Sequence, residues 1–275
     1  MDELLTHPAV QGGVAPFLVA FFFFAAFGKF RFVAGLGVIA AFLTTVGMVV
    51  GFSFDPLTST RKIILLGMAG AALGLSLDFV KLPVVARSIL LVALVAGAMV
   101  WVAWPVLARE ELIKDMVLRG AMLGAFSGWV AAILDFGRRR DAMAVSAAVA
   151  GLGLGAGGAA VIGASALLGQ FGMAVGAAGM AALLSNVIRH RGEGSATFAI
   201  TAGVLIGLIG PASVLYAKVP LGVLLPLAAV PLVMYLPLTG VRQLWLRAAA
   251  WFVAAMVPAG VAIWMSYESA GPVPL

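Results

Sequence analysis

Residues 25–46 read AAFGKFRFVAGLGVIAAFLTTV, and residues 166–187 read ALLGQFGMAVGAAGMAALLSNV. At a shift of 141 residues, eight of these 22 positions are identical, but Lys29 and Arg31 of the first stretch become Gln170 and Gly172 in the second. Because cations favour cytoplasmic loops, this loss is expected if the second copy is inverted in a membrane. We therefore predict one membrane domain, residues 1–275, made of two inverted repeats at about 1–137 and 138–275.

The composition indicates a polytopic membrane protein. Hydrophobic residues make up 63% of the 275 residues, charged residues only 10%, and the mean hydropathy is +1.15. A soluble domain carries about 25% charged residues. The absence of cysteine excludes disulfides and thiolate metal sites, and with two histidines we expect neither a metal nor a cofactor. The net charge of +6 fits loops that face anionic lipid, so we expect no nucleic-acid partner.

Polar breaks divide the chain into ten apolar segments, each close to the length of about 20 residues that a membrane-spanning helix needs. The segments are 9–28, 32–54, 62–80, 84–107, 116–136, 142–168, 172–188, 197–217, 221–237 and 244–265. The sequence thus predicts an all-α polytopic fold of about ten transmembrane helices in a 5+5 inverted-topology repeat. Alternate loops contain eleven and six of the 17 lysines and arginines. This bias predicts that both termini lie outside a bacterial cytoplasmic membrane.

Ten helices arranged as five plus five in fewer than 300 residues resemble the layout of the drug/metabolite transporter (EamA-type) superfamily. The resemblance covers the whole chain and rests on length and repeat. It involves no motif, so no functional residue is carried over from that superfamily.

Two irregular places are candidates for function. Glycine- or proline-interrupted helices in matching positions of two repeats are the best sequence sign of a transporter site. At the shift of 141, the interruption of segment one faces the glycine run of segment six, which predicts a substrate pathway at Gly12, Gly13, Pro16, Gly153, Gly157 and Gly158. In segment nine, Pro226 and Pro231 each remove a backbone donor, which makes them hinge candidates. Tight or kinked helix packing is the alternative interpretation for both places. Glycines also recur at four-residue spacing, as at Gly153 and Gly157 or Gly172 and Gly176, and such smooth grooves predict close helix packing.

Ionisable residues are scarce inside the segments. Asp78, Lys81 and Asp135 lie at predicted helix ends, where ion pairing or snorkelling explains them, and Asp78 and Lys81 are close enough in sequence to pair. Such a weakly polar interior suits a small neutral or amphipathic solute. We therefore expect a transporter or permease and no enzyme, since a lipid-processing enzyme would need clustered carboxylates or histidines. The alternative is a non-catalytic subunit or assembly factor of a larger complex, with other membrane subunits, a second copy or only the lipid bilayer as partners.

Overall fold

The computed structural model describes residues 6–189, 194–241 and 243–271, and every regular element in these ranges is helical. Nine of the described helices are long and apolar enough to cross a membrane. We number them by chain order and reserve α9 for a shorter apolar helix, Leu221–Tyr235. The nine are α1 Val10–Phe27, α2 Phe32–Val49, α3 Ser59–Phe79, α4 Val84–Leu107, α5 Ile113–Gly137, α6 Ala142–Ile162, α7 Ala166–Arg189, α8 Ala196–Tyr216 and α10 Leu244–Ala270.

The prediction of about ten transmembrane helices corresponds, in the described part of the chain, to nine long helices and one shorter, broken helix. In α9, an α-helical turn at Leu224–Ala229 lies between 3₁₀ segments at Leu221–Val223 and Val230–Tyr235. Pro226 and Pro231 account for the break, because a proline has no backbone N–H to continue the α-helical hydrogen bonds.

The two ends of α9 nevertheless contact opposite ends of the bundle. Gly222 lies beside Met265, near the end of α10, and the guanidinium of Arg140 lies 4.7 Å from the ring centroid of Tyr235. A 3₁₀ helix rises about 2.0 Å per residue instead of 1.5 Å, so this mixed segment extends over about 27 Å. Because its 3₁₀ segments rise more per residue than an α-helix, α9 reaches from one end of the bundle to the other although it is shorter in sequence than its neighbours.

Successive helices from α1 to α10, the shorter α9 included, run in opposite directions, which gives the bundle two ends. We call the end with Lys29, Lys81 and Arg138–Arg140 the arginine-rich end, and the other the opposite end. At the opposite end, the Ser59 and Tyr216 hydroxyls lie 2.9 Å apart, which joins the start of α3 to the end of α8. The start of α1 and the end of α10 are both at this opposite end.

The turn between α6 and α7 differs from the prediction. A break was expected near Gly169, but the turn is formed by Gly163, Ala164 and Ser165, with Ala164 in the left-handed region at φ 73°. The Ser165 hydroxyl then accepts a hydrogen bond from Leu168 N at 3.3 Å and starts α7. The shift of 141 therefore aligns the α1–α2 turn with residues inside α7, so that register does not superpose the turns of the two halves.

Helices α6, α7 and α8 form the centre of the bundle and are mostly buried. Between α6 and α7 the contact is backbone on backbone: a Cβ on Gly153 would collide with the Gly176 amide, and one on Gly157 would lie 2.7 Å from Met173 N. Only residues without a side chain allow this approach. The small-residue spacing in the sequence therefore marks real packing seams.

Candidate solute cavity

A cavity of about 450 Å³ opens at the arginine-rich end, among the ends of α1, α2, α6, α7 and α8. Its volume lies within the range of about 300–1,000 Å³ typical of small-molecule sites. It extends from Arg189 to Ala182, seven residues along α7 and thus about 10 Å into the bundle. Its lining includes Phe24, Lys29, Val145, Ser146, Ala182, Ser185, Asn186, Arg189, Ser195 and Phe198.

One wall of the cavity is polar. Asn186 Nδ2 donates a hydrogen bond to Ser146 Oγ at 3.2 Å, and this hydroxyl donates to the Ala142 carbonyl at 2.8 Å. Ser185 is only 7% exposed, and its hydroxyl has no hydrogen-bond partner among the described residues. This hydroxyl faces the cavity, where it can bond to a water or a solute. This wall therefore offers free hydrogen-bonding capacity.

The facing wall is apolar. The Phe24 and Phe198 rings pack edge to face with centroids 5.9 Å apart, and Val145 and Ala182 complete the surface. An apolar wall opposite a few placed polar groups is the usual composition of a site that binds an organic molecule.

Two cations line the mouth of the cavity. Lys29 is exposed in the turn between α1 and α2, and Arg189 ends α7. The Arg189 guanidinium lies over Gly28, where any Cβ would collide with it, and it donates a hydrogen bond to the Ala25 carbonyl. Neither cation has an ion-pair partner among the described residues.

A buried charge cluster holds helices together beside the cavity. Arg87 Nε and Nη2 donate to the two Asp135 oxygens at 2.7 and 2.6 Å, and both residues are only 3% exposed. Arg138 Nε donates to Asp135 at 2.7 Å, and its Nη1 lies 3.4 Å from the carbonyl of Gly194, which lines the cavity. Asp135 is thus ion-paired, one of the two explanations expected from the sequence. Its side chain is too buried to reach water by snorkelling.

Asp78 does not pair with Lys81 as the sequence suggested. Its carboxylate accepts hydrogen bonds from the hydroxyls of Ser195 and Thr197 and from the backbone amides of Ala196 and Thr197, at 2.7–2.9 Å. These amides belong to the first turn of α8, which has no other acceptors for them. Asp78 is therefore a cap supplied to α8 by α3, and Lys81 stays exposed.

At the opposite end, three of the helices that surround the cavity, α1, α2 and α7, are joined by polar contacts. Gln170 Nε2 donates to Gln11 Oε1 at 3.3 Å, and the Thr45 hydroxyl donates to the Gln11 carbonyl at 2.6 Å. Gln11 lies in a π-helical turn, Val10–Val14, a rare form found often at functional sites. We call Gln11, Thr45 and Gln170 the glutamine cluster; it joins α1, α2 and α7 away from the cavity.

None of the residues predicted to line a pathway is part of the cavity lining, and most of the predicted glycines lie at helix contacts. Gly153 and Gly157 pack against α7, and Gly158 packs against Ile263 of α10. Gly12 packs against Gln170 of α7, Pro16 is buried, and Gly13 has no neighbour within 4 Å of a Cβ. Helix α7 thus contacts both glycine-containing regions, whereas Pro226 and Pro231 lie in the broken α9.

From the sequence alone, Ser146, Ser185 and Asn186 are expected to hydrogen-bond within their own helices, and Gln11 carries no expectation. An amide side chain inside an otherwise apolar segment was the available signal, since an amide rarely stays buried without a partner. Which amides meet could not be predicted, because this depends on contacts between helices.

No protein-family model matches the chain, and no curated protein matches it significantly. The resemblance to the drug/metabolite transporter layout therefore rests on length and on the sequence repeat alone. Among the described residues, no group of three or more His, Cys, Asp or Glu side chains is placed to hold a metal ion. The fold and composition define the class of the protein: an all-α, polytopic integral membrane protein.

Proposed function

We propose that this protein is a transporter or permease for a small neutral or amphipathic solute, with its binding site in the cavity at the arginine-rich end. The observation that carries the proposal is the cavity itself. A cavity of this size leaves the helix ends without the close packing that holds helices together in lipid, and a solute-binding site accounts for it.

The closed side of the bundle supports the same function. Beyond the cavity, the edge-to-face contact of Phe42 with Phe171, at 4.9 Å between centroids, and the glutamine cluster fill the space among α1, α2 and α7. A cavity open at one end and closed at the other by side-chain contacts is the geometry that one state of an alternating-access cycle requires. The second state would separate Gln11 from Gln170.

Single cysteines test transport without knowledge of the solute, because the chain has no cysteine of its own. A Ser146→Cys protein in sealed vesicles is exposed to a membrane-impermeant maleimide from one side at a time. We expect labelling from both sides, fast from the side of the arginine-rich end and slower from the other. Labelling from a single side under all conditions would contradict transport.

Two control positions define the sides. Arg139→Cys and Ala270→Cys are exposed at the arginine-rich end and the opposite end, respectively. Each control is expected to react from one side only, and the two from different sides. Leaky vesicles would label both controls from both sides, so leakage and alternating access are distinguishable.

The same controls test the finer topology that we propose: a 5+5 inverted repeat in a bacterial cytoplasmic membrane, with the arginine-rich end in the cytoplasm and both termini outside. The distribution of Lys and Arg supports this orientation. In intact cells we expect Ala270→Cys to react and Arg139→Cys to react only after the membrane is opened. Reaction of both in intact cells would contradict the inverted topology.

The second candidate function is a non-catalytic subunit or assembly factor, and an apolar groove between α5 and α9 favours it. The groove has a volume of about 660 Å³ and includes Met122, Trp129 and Leu225, the last 76% exposed. A helix of another membrane protein would bury this surface. Native mass spectrometry after mild-detergent extraction separates the candidates, since a subunit would be recovered with other proteins and a transporter alone or as a homodimer.

A further inference from the structure

We infer that the cavity selects amphipathic monoanions, such as a carboxylate or sulfonate on a short apolar body. This inference rests on the proposed transport function and assigns the chemical class of its solute. The juxtaposition that carries it is a mouth with two unpaired cations, a polar wall with a free hydroxyl and an apolar wall of aromatic rings.

In the described ranges, the acidic residues that border this end do not neutralise the charge at the mouth. Asp78 is occupied by the first turn of α8, and Asp141 accepts hydrogen bonds from Met143 N and Ala144 N and lies 3.5 Å from Arg247. Lys29 and Arg189 thus give the mouth a positive potential. In a concave site with low-dielectric walls, such a potential concentrates anions and repels cations.

The hydrogen-bonding groups deeper in the cavity suit an anionic head. Ser185 has an O–H to donate, and the Asn186 amide has two N–H donors, of which one goes to Ser146. Hydrogen bonds to a charged acceptor are roughly twice as strong as those between neutral groups. A carboxylate between these donors and the cations would satisfy the Ser185 hydroxyl.

The apolar wall limits the charge of the solute. Phe24, Phe198 and Val145 cannot solvate a second charge, so a dianion would lose hydration without compensation there. A short alkyl or aryl group packs against these side chains with favourable burial. The cavity therefore fits one charge and one apolar body.

The test compares two thiol reagents of similar size and opposite charge on the purified full-length Ser185→Cys protein in neutral detergent. The anionic sulfonatoethyl methanethiosulfonate is expected to react faster than the cationic trimethylammonioethyl reagent. Relative to the rate ratio at an exposed Ala270→Cys, we expect an increase of about tenfold, the lower range of electrostatic focusing. A ratio equal to that at Ala270→Cys would overturn the inference.

Second-site variants identify the source of the selectivity. Lys29→Gln and Arg189→Gln in the Ser185→Cys background are each expected to remove most of the preference, whereas Arg139→Gln, an exposed cation outside the cavity, is expected to leave it unchanged. Asn186→Cys serves as a second reporter if the Ser185→Cys thiol reacts too slowly. An equal effect of Arg139→Gln would show that only the overall charge matters and would overturn the inference.

Competing ligands separate a soluble solute from lipid. Sodium benzoate is expected to slow the modification of Ser185→Cys, whereas benzamide, its neutral analogue, is not, at ionic strength matched with sodium chloride. Protection only in nanodiscs that contain phosphatidylglycerol would assign the cations to lipid headgroups and overturn the inference. If anion selectivity is not found but Ser146→Cys is labelled from both sides, the transport proposal holds and the anion inference fails. If anion selectivity is found but Ser146→Cys is labelled from one side only, the transport proposal fails and the anion site remains.

Discussion

Helix α7 has two halves that pack in opposite ways. Toward the opposite end, Gly172, Gly176 and Gly179 meet the backbone of α6 so closely that no Cβ fits. Toward the arginine-rich end, Ser185, Asn186 and Arg189 replace the glycines and line the cavity. One continuous helix thus packs backbone to backbone against α6 along one half, whereas along the other half it meets α6 through side chains such as Asn186 and Ser146 beside the cavity.

The difference teaches how side-chain size sets the inner shape of a membrane bundle. In lipid, helices associate through packing and hydrogen bonds, not through the exclusion of water. Where both faces are glycine or alanine, the backbones close up; where the side chains are longer and polar, the helices diverge and polar groups need partners. The position of the cavity follows from where the glycines of α7 end.

The largest expected effect is on the charge cluster that supports the open half. Arg87→Met leaves Asp135 buried without its bidentate partner and should lower the free energy of unfolding by about 3–5 kcal/mol. Thermal unfolding of the purified protein in detergent measures this loss. The double variant Arg87→Met/Asp135→Leu should regain much of it, because both members of the buried bidentate pair are gone and the less buried Arg138 keeps its contact with the Gly194 carbonyl. A double variant less stable than Arg87→Met would contradict this account of the cluster.

A smaller effect is expected in the solid half. Gly176→Ala places a Cβ 2.8 Å from Leu154 N, which forces α6 and α7 apart and should cost about 1–3 kcal/mol. Gly97→Ala is the matched control, because no atom lies within 4 Å of its Cβ and alanine favours a helix by up to about 1 kcal/mol. Equal unfolding temperatures for the two variants would show that the glycines do not close this half.

The smallest effect is expected in the open half. Ser185→Ala removes a hydroxyl that has no protein partner in the described part of the chain, so its stability should change by no more than about 0.5 kcal/mol. The same thermal unfolding measurement applies. A loss as large as that of Gly176→Ala would mean that Ser185 is packed as tightly as the glycines, and the comparison of the two halves would not hold.

The prediction from sequence was most accurate where the cause is local. Nine of ten segments are long apolar helices, and the four-residue spacing of small residues correctly identified the seams of α6 and α7. The prolines of α9 correctly marked an irregular segment. The π-helical turn of α1 was anticipated only as an interruption at Gly12, Gly13 and Pro16, since its form depends on the contact of Thr45 with the Gln11 carbonyl.

The predicted site was limited by an assumption about register. The shift of 141 paired Lys29 with Gln170, but Lys29 lies in a turn and Gln170 lies inside α7, because Gly163–Ser165 turns the chain earlier. The same shift paired Gly12 with Gly153, and these glycines contact α7 at Gln170 and at Gly176, respectively. Identities in a chain rich in alanine and glycine do not carry the register of the turns.

Sequence by itself determined that the chain is a helical membrane protein, where most helices begin and end, and which faces are smooth enough for close packing. These properties follow from hydropathy and from backbone hydrogen bonds within about one turn. Only the tertiary structure decided that Arg87 pairs with Asp135, that Asp78 caps α8 and that Ser146, Ser185 and Asn186 share a cavity. Each of these contacts joins residues 40 or more positions apart or depends on how two helices diverge, and no local pattern encodes the relative placement of distant helices.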